Sequence, residues 1–122
     1  MADITMTVVN CVKAGILDVD SHASAVAGNA AGGSDFLFPN DGKTVLVIDA
    51  GAGDTFTFTA RTDKFGRTET LAVVVAGGGG EIALLGPFLP ELWNDPAGMV
   101  HFVPTVGNAA DILLAVRVSN PT

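Results

Sequence analysis

Few side chains in this sequence could carry chemistry, and they are scattered. Asp18, Asp20 and His22 put two carboxylates and an imidazole within five residues. A metal site needs about three or four ligands that converge, and no further ligand is legible nearby. The second histidine, His101, precedes Phe102 in an apolar run, where a packed or interfacial role is the commoner one. The single cysteine, Cys11, has no histidine beside it in sequence, and there is no Gly-x-Ser-x-Gly. No nucleophile finds a base, so the chain reads as non-enzymatic: no catalytic residues, no metal ligands and no cofactor.

Three glycine-rich stretches invite a phosphate and then disappoint. Asp41-Gly42-Lys43-Thr44 ends like a P-loop, but position 37 is Leu37 where that loop needs glycine. The apolar run Val45–Ile48 follows it instead of a helix. Gly51-Ala52-Gly53 follows an apolar run, as a dinucleotide fingerprint would, yet the third glycine position is Phe56. Both read as turns, the second as a hairpin turn. Gly77–Gly80 could cup an anion with successive N–H groups. With no helix start behind it, a flexible hairpin loop accounts for the same residues.

One charge feature stands out. Three of the six basic side chains, Arg61, Lys64 and Arg67, fall within seven residues of a chain whose net charge is −7. A solvated hairpin tip and a contact with an acidic partner surface both fit that cluster.

The elements that must position these residues have β chemistry. Thr55-Phe56-Thr57-Phe58-Thr59 alternates strictly, and Ile4, Met6 and Val8 alternate with Thr5 and Thr7. Val45–Ile48 and Val73–Val75 are apolar on both faces and too short for helices. They read as strands covered on both sides, by a second sheet or by a partner. Ile82–Leu85, Met99–Val103 and Ile112–Val118 complete the set. Gly and Pro clusters punctuate the runs, and Asn40-Asp41-Gly42 is a tight-turn signal between Phe36–Phe38 and Val45–Ile48. Between residues 17 and 31 lies an Ala-rich stretch. It reads as a small-residue loop over a surface or as one short helix from Ser21 to Ala27. The fold class is all-β: a single-domain antiparallel β-sandwich or β-barrel, jelly-roll or Greek-key-like, with room for one short helix.

Composition bounds the partners. A length of 122 residues makes one domain. With 48% hydrophobic and 16% charged residues the chain has too much apolar material for disorder. Thirteen acids against six bases argue against a nucleic-acid partner, which needs a basic face to release counterions. The longest apolar-looking stretch, residues 71–80, is far short of the roughly 20 residues of a spanning helix, so no membrane partner is expected. The first residues lack a basic and then apolar leader, which suggests synthesis and retention in a cytoplasm.

The most distinctive segment is Leu85-Gly86-Pro87-Phe88-Leu89-Pro90-Glu91-Leu92-Trp93-Asn94-Asp95-Pro96-Ala97-Gly98-Met99-Val100-His101-Phe102. It resembles a stretch of the small capsid decoration, or cement, proteins of tailed bacteriophages and prophages. Ile4–Val8 followed by Val12-Lys13-Ala14-Gly15, and Phe38-Pro39-Asn40-Asp41-Gly42 leading into Val45–Ile48, are similar too. The resemblance implies a β-rich virion protein on the outer capsid surface, made in the host bacterial cytoplasm. Its partners would be the major capsid protein and copies of itself, as a trimer or another symmetric oligomer. On that reading residues 1–12 are expected to form an arm or intersubunit strand ahead of a domain spanning 13–122. Ile4, Met6 and Val8 are then expected partner contacts; Arg61, Lys64 and Arg67 are expected ones on their charge alone, since the resemblance carries no role onto residues 61–67. Two alternatives stand beside it: another head or tail component, and a glycan-binding module on which Trp93 stacks against a sugar.

Overall fold

Alternating side chains decide which face each strand buries. The structure, a computed structural model, describes residues 3–11, 21–32, 35–60, 70–78 and 82–118. Its strands are β1 (Ile4–Thr5), β2 (Val8–Cys11), β3 (Val26–Ala27), β4 (Phe36–Pro39), β5 (Thr44–Ala50), β6 (Gly53–Thr59), β7 (Thr70–Ala76), β8 (Ile82–Leu85), β9 (Met99–Pro104) and β10 (Asp111–Val118). One helical turn, α1 (Pro90–Trp93), precedes β9. The first sheet has the order β1-β4-β9-β6-β7. The second has β2-β10-β5-β8, with β3 beside the other half of β10. All pairings are antiparallel except β1 with β4 and β2 with β10. The protein is therefore a sandwich of two mixed sheets and not a closed barrel.

The core lies between the sheets and is aromatic on one side. Phe36, Phe102 and Phe58 face one another across β4, β9 and β6. Their ring centroids lie 5.1 and 5.2 Å from Phe102. Phe38, Phe56 and Phe88 join them, so all six phenylalanines among the described residues are buried. Each contributes roughly 1.5–3 kcal/mol by leaving water. The second sheet answers with Leu46, Ile48, Leu113 and Ala115, all fully buried.

The run Ile4–Val8 keeps its predicted alternation but is not one strand. Ile4 and Val8 pack on the core and Met6 between them is 2% exposed. The Met6 N–H still donates to Leu37 O at 2.7 Å. The chain thus closes the side of the sandwich, passing from the edge of one sheet to the other. Residues 3–11, within the segment expected to be an arm, are paired inside their own chain.

Most connections switch sheets, which corrects the hairpin readings of Gly51–Gly53 and Gly77–Gly80 and leaves Asn40–Gly42 the turn that was expected. Asn40–Gly42 and Gly51–Gly53 join strands of opposite sheets, and so does the connection from β7 to β8 that contains Gly77–Gly80. Among the described residues only β6 and β7 are consecutive strands that pair with each other, with Thr59 opposite Thr70. Alternation tells which face is buried but not which sheet a strand joins. Two glycines explain the corners. Gly53 has φ of +82°, and a Cβ on it would collide with the Gly77 backbone. A Cβ on Gly77 would collide with Ala52 O in turn. The glycines here serve close backbone approach, the role glycine fills best.

A second apolar cluster lies on the outer face of the second sheet. Val47, Leu114 and Val116 are buried there, with Val9, Cys11, Ala25 and Val45 packed against them. Ala25 belongs to residues 21–32, which form turns around β3 rather than a helix. The small-residue loop over a surface is the form observed.

Candidate functional site

Residues 85–102 are held by side chains of Asn40 and Asp35 as well as by their own. Two turns of similar sequence, Asn40-Asp41-Gly42 and Asn94-Asp95-Pro96, are clasped to each other. Asn40 Nδ2 donates to Asn94 Oδ1 at 2.7 Å and to Phe88 O at 2.9 Å, and Asn94 Nδ2 donates to Asn40 O at 2.7 Å. Both asparagines are 8% exposed, so this pairing replaces water they have lost. Pro90 supplies a preset φ at the first position of α1. Phe88 enters the core below it.

His101 is the electrostatic knot of this region. Its Nδ1 lies 3.0 Å from Asp35 Oδ2, and its Nε2 contacts Asp95 Oδ2. A carboxylate only accepts, so both contacts become hydrogen bonds when both ring nitrogens carry hydrogen, and the pair of carboxylates favours the imidazolium. Burial works against that charge, but the hydrogen bonds to Asp95 and Asp35 outweigh it and hold the pKa above its usual 6.5. Burial likewise pushes Asp95 up. The bonds from His101, Met99 N–H and Ala97 N–H prevail and bring it below 3.8. Asp35 O accepts from Ile4 N–H and Asp35 N–H donates to Asp3 Oδ1, so the knot ties β1, β4 and β9 together.

The other predicted site residues are dispersed. Arg61, Lys64 and Arg67 lie outside the described residues, as do Asp18 and Asp20. His22 Nδ1 accepts from Ser24 N–H at 3.1 Å, a local turn contact. Ile4 and Val8 are half-buried, and Met6 offers no surface. Trp93 is half-buried and meets the Phe88 ring edge-on at 6.0 Å, anchoring α1 to the core. Among the described residues no group of three or more His, Cys, Asp or Glu could hold a metal ion. No described helix is long and apolar enough to cross a membrane.

What sequence reasoning missed is the open apolar edge. β7 and β8 end their sheets, and neither strand contains a charged residue. Val74 is 78% exposed, Ile82 62% and Leu84 69%. Leu84 lies opposite Val47, and Val47 opposite Leu114, on the outer face of the second sheet. One apolar row therefore runs from a covered centre to a bare edge. The signal was present, since β8 is apolar throughout, but nothing in the sequence said that one face would stay open.

No family model, no curated protein and no solved structure matches the chain.

Proposed function

We propose that this protein is a structural component of a tailed-phage virion that decorates and reinforces the outer surface of the capsid. The observation that carries the reading is the apolar edge at Val74, Ile82 and Leu84. An exposed, uncharged edge strand is a template for pairing with another chain. Natural sandwiches commonly blunt such edges with charge or proline, and here both are missing from β7 and β8. A contact on the capsid or on a second copy covers the row that Leu114 and Val47 begin. The resemblance of residues 85–102 to cement proteins supports the same role. Such a protein needs a stiff fold and a docking surface. Binding only the assembled lattice stabilises that lattice by mass action, and many copies engage together.

The test is co-sedimentation of labelled protein with purified full heads and, separately, with isolated tails. Attachment to heads alone is expected, and an Ile82→Lys/Leu84→Lys variant should stay folded and fail to attach. Attachment to tails, or to neither, would overturn the reading. Deleting residues 2–12 is a poor test of docking, because it removes β1, β2 and the buried Met6 from the fold.

A further inference from the structure

The sandwich is open at one end, and the row of side chains there changes character. Val8, Ala115 and Leu46 form an inward row across β2, β10 and β5. Two residues further along the same face stand Asn10, Arg117 and Thr44. Pro39 and Asp41, from the β4–β5 corner, form the opposite wall. Val8, Asn10, Thr44 and Arg117 line a cavity of about 320 Å³ with Pro39, Asn40, Asp41 and Gly98. That is the size class of small-ligand sites.

Arg117 is the only guanidinium in the cavity and is half used. Its Nε donates to Asp41 Oδ2 at 2.6 Å, and among the described residues its two terminal nitrogens have no acceptor. The Asn10 side-chain amide, beside it in the row, has no hydrogen-bond partner among the described residues either. The lining holds one cation, Arg117, and one carboxylate, Asp41.

We propose that this mouth binds a carboxylate, carried by a small organic acid or by an acidic side chain of another polypeptide. The terminal nitrogens of Arg117 offer two parallel N–H donors to a planar carboxylate, the geometry that makes such pairs strong. The Asn10 amide adds a third donor, and Val8 and Pro39 give an apolar wall for the stem. The site is independent of the capsid reading and stands or falls separately from it.

The test is a titration of the full-length protein with sodium butyrate at constant ionic strength. The signals to follow are the nitrogen-15 shifts of the Arg117 Nε–H and the Asn10 side-chain amide. Saturable shifts are expected with butyrate and none with butyramide, its neutral isostere. Arg117→Lys removes the planar fork and should weaken binding about tenfold or more. Asn10→Ala, at an exposed position, should weaken it by a smaller factor while the Phe102 backbone amide stays in place. No saturation, equal shifts from butyramide, or undiminished binding by Arg117→Lys would each overturn the proposal. Sedimentation with and without butyrate separates the sources. Dissociation of an oligomer assigns the carboxylate to a second copy, and unchanged sedimentation assigns it to a free acid or a foreign chain.

Discussion

β5 and β8 are neighbours in one sheet and set Val47 beside Leu84 on its outer face, yet the two side chains meet different fates. Val47 on β5 is 7% exposed, and Leu114 beyond it on β10 is fully buried. Leu84 on β8, directly opposite Val47, is 69% exposed. The difference is cover. Residues around Ala25 lie over the centre of the sheet, and no described residue lies over its edge. A strand that is apolar on both faces announces that something must cover it, and the structure shows which strand finds its cover at home. A bare row continuous with a buried cluster marks where association would extend the core.

The largest effect expected is at the covered end of that row. Leu114→Ala should cost about 2–5 kcal/mol, the range for emptying a buried leucine site. Urea denaturation followed by Trp93 fluorescence measures it. A loss below about 1 kcal/mol would mean that the outer cluster is loosely packed and that the contrast with β8 is smaller than the exposures suggest.

Next in size is the corner that joins the two regions. Asp111 is fully buried, and its Oδ1 accepts from Ala52 N–H at 2.9 Å and Gly53 N–H at 3.0 Å. That corner packs against Gly77, where the chain leaves β7 for β8. Asp111→Ala strips a carboxylate acceptor from two N–H groups and should cost roughly 1.5–3 kcal/mol. Oδ2 has no partner. Asp111→Asn keeps the Oδ1 contacts and substitutes only at that orphaned position, so it should cost clearly less. Equal losses for the two variants would show that the charge, and not the two hydrogen bonds, holds the corner.

Much of this fold was legible because alternation survives folding. Phe56 and Phe58 on one face of β6, and Ile4, Met6 and Val8 facing the core, follow from side-chain period alone. Sheet membership was not legible. Gly51–Gly53 looks the same whether it reverses the chain within a sheet or carries it across. What decides is Asp111, about 60 residues away, gripping the turn. The same distance in sequence hid the Asn40–Asn94 clasp and the knot of Asp35, Asp95 and His101. His101 read as a packed or interfacial residue because its two carboxylates arrive from separate loops. The open edge was hidden for the opposite reason, since exposure depends on what fails to fold over a strand.

The His101 knot gives the β1–β4–β9 end of the first sheet a pH signature that the β7/β8 edge, without charge, should lack. The raised His101 pKa means that its stabilisation is complete below about 6.5 and is lost as pH rises through the folded value. The lowered Asp95 pKa means that its share is complete above about 3.8 and is lost as pH falls through the folded value. The knot therefore contributes most between those limits. Thermal melts of the wild type and His101→Gln should differ most in that window and converge toward higher pH. A gap that stays constant across the range would remove charge from the explanation.

The smallest effect on folding, and the sharpest test of the comparison, is at the bare end of the row. Leu84→Ser removes a side chain that already faces water, so the folded monomer should change by no more than about 0.5 kcal/mol. Its consequence should appear in association instead. If the row is completed by another chain, the variant should bind heads or its own copies more weakly while its urea midpoint stays put. Leu114→Ala should do the reverse, lowering the midpoint while a folded fraction still attaches. Should Leu84→Ser lower the midpoint as Leu114→Ala does, the edge is already covered within its own chain and the two ends of the row are alike.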